Sequence, residues 1–196
     1  MARINKDDID KWFDSDIYVP TRTIWVGTNS NWSTDEESGT DWQMAERLAK
    51  GLWLLDQTDS PITILMNNIG GDVYHMWAMY DLIKACKSHV TVKCVGYCMS
   101  AATVILQAAD ERVLSPNVGF MIHYGTWGLP DNLKEAKRWV EEADRLYKNV
   151  AHTFLDKIRE KKPAYTYDDV DRLLERDTPM SAFDAVELGL ADRVEG

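Results

Sequence analysis

Residues 62–73 read Ile-Thr-Ile-Leu-Met-Asn-Asn-Ile-Gly-Gly-Asp-Val, and the fold is decided there. Residues 62–66 form a short run of apolar and β-branched side chains, the pattern of a buried strand. Gly70 and Gly71 then permit a sharp turn that leaves backbone N–H groups free, a geometry suited to an anion or an oxyanion, and equally the ordinary shape of a strand-to-helix turn. A helix is expected over 73–86. The alternation continues outward, with a strand predicted over 90–95, a helix of small residues over 101–109 and another strand over 119–123. Strands alternating with helices imply βαβ crossovers, hence an α/β fold with a largely parallel sheet covered on both faces.

Upstream, residues 23–27 (Thr-Ile-Trp-Val-Gly) read as a short strand ended by glycine. Residues 28–40 are polar, acidic and glycine-bearing around one tryptophan, the pattern of a solvated loop and the natural place for an insertion. Asp41 is placed to cap a helix whose Ala45, Leu48, Leu52 and Leu55 share one face. The first twenty residues, charged with scattered aromatics, read as an N-terminal arm or short helix, which leaves 21–196 as a single domain. Downstream of His123, Asp131 opens a helix in which Leu133, Ala136, Val140, Ala143, Tyr147, Val150, Phe154 and Ile158 keep three-four spacing until Pro163. Such a helix either packs along its own sheet or projects as an arm toward a partner subunit. Thr166 with Asp169, and Ser181 with Asp184, have capping-box spacing and predict two short closing helices.

With 196 residues, 45% of them apolar, the chain has the material for one buried core, which excludes a disordered segment. The formal charge of −10 disfavours nucleic acid or an anionic membrane as partner, since the summed field repels phosphate. No stretch has the length of a membrane span, and residues 1–8 hold no apolar run of the signal-peptide kind, so a cytoplasmic location is expected. Cys86, Cys94 and Cys98 are odd in number and lack zinc-site or CxxC spacing; they read as reduced thiols. No pair among the four histidines has metal-site spacing, and no metal or cofactor is expected.

Two further segments carry chemistry. In Gly96-Tyr97-Cys98-Met99-Ser100-Ala101-Ala102-Thr103 a serine opens a small-residue helix, with the next amide and the positive helix end beside it. Ser100 therefore suits a nucleophile, although an N-cap serine has the same position. In Gly119-Phe120-Met121-Ile122-His123-Tyr124-Gly125 a histidine ends an apolar strand, where it suits a general base or a satisfied structural histidine. An acid in a turn near a capped helix would complete a nucleophile, base and orienter set, and Asp169, Asp171, Asp177 and Asp184 all qualify.

The Asn67–Asp72 double-glycine string, the Gly-Tyr-Cys-Met-Ser-Ala-Ala segment, Met121-Ile122-His123 and residues 175–192 (Glu-Arg-Asp-x-x-Met-Ser-Ala-x-x-Ala-x-x-Leu-Gly-Leu-Ala-Asp) occur in the order seen in the ClpP family of Clp protease proteolytic subunits, which the chain resembles from about 16 to 194. The resemblance implies a ClpP/crotonase-like fold of repeated ββα/βαβ units with a protruding handle over about 124–162. It implies a serine endopeptidase with Ser100 as nucleophile, His123 as base and Asp177 as the orienting acid, and with the amides of Gly71 and Ala101 as oxyanion hole. Peptide would pair beside Gly70, Gly71, Tyr124 and Gly125, and Arg176 would tie the triad to ring pairing. The implied assembly is a homo-oligomer of two stacked heptameric rings that encloses peptide or unfolded-protein substrate. An AAA+ unfoldase is the further partner implied, and several departures count against its docking: the N-terminus lacks an apolar opening, Thr63 and Leu65 replace frequent aromatics, Ala85 occupies a third apolar position, and residues 28–40 look inserted. The alternatives are a crotonase-type acyl-CoA hydratase or isomerase, and a non-catalytic or phage-maturation ring subunit of the same fold.

Overall fold

The computed structural model describes residues 6–27 and 39–196; the expected loop over 28–40 therefore lies, apart from Gly39 and Thr40, outside the described residues. Helix α1 (Lys6–Ser15) and strand β1 (Ile17–Tyr18) occupy the stretch read as an arm, and β1 runs antiparallel to β2 (Thr23–Val26). Asp41 caps α2 (Trp42–Leu55), its side chain accepting from the Met44 amide at 2.8 Å, and Ala45, Leu48, Leu52 and Leu55 are all buried. The crossover units follow as β3 (Ile62–Asn68), α3 (Val73–Lys84), β4 (Val90–Met99), α4 (Ala101–Leu106), β5 (Glu111–Leu114) and β6 (Gly119–Ile122). Helix α5 (Leu133–Lys161) then leads to α6 (Tyr167–Leu174), β7 (Thr178–Met180), α7 (Ala182–Leu188) and β8 (Arg193–Val194).

The sheet has the order β1-β2-β3-β4-β5-β8, parallel from β2 to β8. Strand β4 divides its pairing: Thr91 to Cys94 lie beside β5, whereas Tyr97 to Met99 lie beside β6, which in turn pairs antiparallel with β7. Gly96 marks the change with φ +63, and the register against β3 slips there, from Met66↔Cys94 to Asn68↔Cys98. A strand ending at Val95 is thus corrected. Pairing resumes beyond the glycine, where the Tyr97 amide donates to the Asn67 side chain at 2.8 Å.

A sheet covered on both faces is also corrected. Along β3, Ile62, Ile64, Met66 and Asn68 are buried while Thr63 and Leu65 are half-exposed, and β4 alternates likewise between Val90, Val92 and Cys94 and the half-exposed Thr91 and Lys93. One face carries the helices. The other bears Thr63, Thr91 and Lys93, polar groups that a doubly covered strand does not carry.

Asn132, rather than Asp131, caps α5 by accepting from the Lys134 and Glu135 amides, and Pro163 follows its end. The apolar stripe of α5 is buried only from Ala143 onward; Leu133, Trp139 and Val140 are exposed. Its second half packs on the core and its first half projects. Both capping boxes form, Thr166 with Asp169 and Ser181 with Asp184.

Strands β5, β7 and β8 are not expected from the sequence, because two to four residues are too few to show a period and β5 opens with Glu111 and Arg112. Those charges are paired. Arg112 is buried and its guanidinium donates to Asp192, Gln107 Oε1 and the Gly189 carbonyl, which staples the C-terminal segment to the sheet. Burial alone would raise the Asp192 carboxyl, but the hydrogen bonds and charge of Arg112 outweigh it and hold the carboxyl below its ordinary range. The cysteines are free thiols, with Cys94 and Cys98 buried and Cys86 pushed up to about 11 by burial and by Asp56 and Asp110. Replacing Arg112 by alanine leaves Asp192 with only the backbone amide of residue 112 as donor, takes the guanidinium away from two further acceptors and is expected to cost about 3 kcal/mol, read as a shifted denaturation midpoint at fixed protein concentration. Because the Asp192 pKa is depressed on folding, its contribution is present above the ordinary aspartate value and lost as pH falls through the lower folded value. Acid titration of the same midpoint below about pH 4 should show that loss in the parent and a smaller one in Arg112→Ala, which keeps only the backbone donor.

Candidate active site

Ser100 sits where β4 ends and α4 begins, with φ +53 and ψ −124, a backbone conformation that a residue bearing Cβ rarely adopts. It is held from both sides: its N–H donates to the Met121 carbonyl at 2.7 Å, and its own carbonyl accepts from the Thr103 amide at 2.9 Å. The sharp turn points Oγ away from the helix end, so the side chain makes no cap. Behind it lies Gly70, φ +96; a Cβ there would come within 2.6 Å of Ser100 Cβ and 2.8 Å of the Met99 carbonyl oxygen. Only glycine lets the two turns touch.

Strand register brings the other two groups in. Met99 lies opposite Met121 in the β4–β6 pairing, so the residues that follow each strand, Ser100 and the Ile122-His123 end of β6, emerge at the same edge. Ile122 lies opposite Thr178 in the antiparallel β6–β7 pairing, which continued by one step sets His123 against Asp177. Ser100 Oγ is 2.7 Å from His123 Nε2, and His123 Nδ1 is 2.7 Å from Asp177 Oδ1. A carboxylate only accepts, so in the neutral imidazole Nδ1–H donates to Asp177 and Nε2 is left to accept from the serine hydroxyl. The imidazole is 22% exposed and Asp177 75%, so the line runs from the protein interior out to its surface.

A cavity of about 360 Å³ opens over this line, and Gly71, Ala101, Ser100 and His123 all border it. Among the described residues the N–H groups of Gly71 and Ala101 are not committed to another hydrogen bond. The remaining wall is mainly apolar and aromatic, with Met76, Val104, Val150, Trp127 and Tyr147. Tyr124 and Gly125 also line it, whereas Gly70 packs beneath Ser100. Arg176 is exposed beside Asp177. No cluster of three or more metal-ligating side chains occurs among the described residues.

The four candidate acids separate cleanly. Asp169 and Asp184 serve their capping boxes, whose hydroxyl and amide donors hold both carboxyls below the ordinary range. Asp171 accepts from the Tyr124 hydroxyl at 2.5 Å. Asp177 alone meets His123. Sequence reasoning missed Asn68 and Thr40. Asn68 is buried; its Oδ1 accepts from the Gly70 amide at 2.8 Å and its Nδ2 donates to Thr40 Oγ1 at 2.9 Å. Thr40 in turn bridges the turn through its backbone, its N–H donating to the Gly70 carbonyl and its carbonyl accepting from Asp72. The signal was present, since Asn68 continues the inward-facing series of Ile62, Ile64 and Met66, where a polar side chain needs a partner.

An α/β sheet sets a strained serine, a histidine and a carboxylate in one hydrogen-bonded line beside two open amides, an arrangement of the kind found in serine hydrolases. Comparison with known proteins narrows it. The Clp protease family profile matches residues 35–196. The ATP-dependent Clp protease proteolytic subunit of Deinococcus radiodurans is 34% identical over 190 residues, covering 91% of this chain and 84% of that protein. A point mutant of ClpP1 from Listeria monocytogenes superposes with a TM-score of 0.74 at 26% identity, covering 90% of this chain and 92% of that one. The chain belongs to the Clp protease family as a ClpP-like proteolytic subunit. Gly70→Ala is expected to force Ser100 away from His123, lengthening the 2.7 Å contact in a crystal structure and lowering stability by about 1–3 kcal/mol in thermal melts.

Proposed function

We propose that the chain is a serine endopeptidase subunit of a self-compartmentalising barrel, with Ser100 as nucleophile, His123 as general base and Asp177 as the carboxylate that orients the imidazole. The observation that carries the reading is the pair of 2.7 Å contacts that join the three side chains at the mouth of the cavity. In the reaction, Ser100 Oγ attacks the peptide carbonyl carbon as His123 Nε2 takes the hydroxyl proton. The oxyanion accepts from the Gly71 and Ala101 amides, which border the cavity and are not committed to another hydrogen bond among the described residues. The imidazolium, steadied by Asp177, returns the proton to the leaving amine, and water activated by the same base resolves the acyl-enzyme. Peptide lies extended between the Gly71 turn and the Tyr124-Gly125 segment, pairing with backbone groups as an added strand.

The projecting half of α5 supports assembly, since Leu133, Trp139 and Val140 form an apolar stripe that remains exposed among the described residues. In this reading the stripe meets its copy in the opposite ring of two stacked heptamers, and Arg176 links that contact to Asp177. The Deinococcus relative is named ATP-dependent, which suggests an AAA+ unfoldase partner; Thr63, Leu65 and Ala85 are the residues that count against its docking. The acyl-CoA alternative needs a carboxylate base in the cavity, and the one carboxylate lining it among the described residues, Asp72, already accepts from the Tyr74 and His75 amides as the cap of α3.

A fluorophosphonate probe should label Ser100, fail on Ser100→Ala and react at least about 100-fold more slowly with His123→Ala; labelling indifferent to the histidine would remove the triad. Asp177→Asn should lower kcat by about 10⁴-fold through the wrong imidazole tautomer, measured on a fluorogenic peptide. Sedimentation should give a species many times 22.4 kDa, and a stable, fully active monomer would contradict the barrel.

A further inference from the structure

We infer that Tyr124 and Asp171 are positioning residues for the serine–histidine–aspartate line: the hydrogen bond between their side chains fixes the distance between the two segments that carry His123 and Asp177. The inference rests on the serine peptidase reading. His123 stands one residue beyond the end of β6, and Asp177 one residue before the three-residue β7. Two short strands are a weak hold on a contact whose acceptor is 75% exposed.

The next residues supply the missing constraint. The Tyr124 amide donates to the Leu174 carbonyl at 2.8 Å, and the Tyr124 hydroxyl donates to Asp171 Oδ1 at 2.5 Å, so both ends of this residue grip the final turns of α6 just before Asp177. Helix α6 is itself rooted in the core through the buried Val170 and Leu174. On its other side the Tyr124 ring stacks on Tyr147 of α5, with centroids 4.5 Å apart and planes 27° apart, while the Tyr147 hydroxyl donates to the Gly125 carbonyl at 3.2 Å. A hydroxyl bonded to a carboxylate is among the stronger neutral-to-ion hydrogen bonds. Burial, then the bond to Asp171 and the nearby Tyr167, push the phenol far above its ordinary pKa, which keeps it a donor wherever the peptidase operates.

Tyr124 also lines the cavity, so a wall role must be separated from a positioning role. Tyr124→Phe keeps the ring and its stack and removes only the hydroxyl. On a fluorogenic peptide it should lower kcat about 10- to 100-fold with KM within about twofold of the parent, and slow fluorophosphonate labelling in proportion. Asp171→Ala should give the same loss, Tyr124→Phe with Asp171→Ala should be no worse than either change alone, and Asp171→Asn, which keeps an oxygen acceptor, should recover most of kcat. An unaltered kcat in Tyr124→Phe, multiplicative losses in the double variant, or a change confined to KM would each overturn the inference while leaving the serine reading intact. Peptide turnover unaffected by Ser100→Ala would overturn the serine reading and the inference with it.

Discussion

Between Cys94 and Tyr97, strand β4 leaves one neighbour and takes up another. Gly96 makes this possible by adopting φ +63 against Asn67, in a space where a Cβ would sit 2.5 Å from the Asn67 side-chain oxygen. Had β4 stayed beside β5, its end would point toward the C-terminal segment. By joining β6 instead, it delivers Ser100 to the edge where β6 delivers His123, and β6 in turn pairs with the strand that follows Asp177. Register set by backbone hydrogen bonds, and not the three side chains themselves, brings the constellation to one edge.

Much of this was legible in the sequence because the relevant signals are local. The alternation of 62–66 with 73–86, the cap at Asp41 and the two Ser/Thr-x-x-Asp boxes each lie within a few residues, and each appears where expected. The serine and histidine stood out as chemical groups placed at element ends. Spacing could not choose among Asp169, Asp171, Asp177 and Asp184, since that choice depends on the β6–β7 pairing, and β7 is three residues with Pro179 at its centre. Burial of the sheet was misjudged for a similar reason. Thr63, Thr91 and Lys93 mark one face as polar, a pattern that emerges only when both strands are laid side by side in register.

Polar groups do the local holding throughout. Asn68 ties the glycine turn to Thr40, Arg112 ties β5 to the final segment, and Asp56 accepts from the amides of Lys87 and Ser88 ahead of β4. Each secures a turn or end that apolar packing alone would leave free to shift, and in the case of Asn68 the secured turn is the one that presents the Gly71 amide. The aromatic groups act differently. Tyr124, Tyr147, Trp127 and Trp139 form a continuous run of rings from the cavity wall onto the projecting helix.

Mechanically, α5 is a cantilever. It is clamped from Ala143 to Ile158, and the ten residues before the clamp extend by about 15 Å at the usual rise per residue. Force applied near Leu133 is therefore felt as torque at the clamp, where Tyr147 rests against the residue that follows His123. The exposed start of the helix and the ring beside the residue after His123 thus belong to one continuous rod.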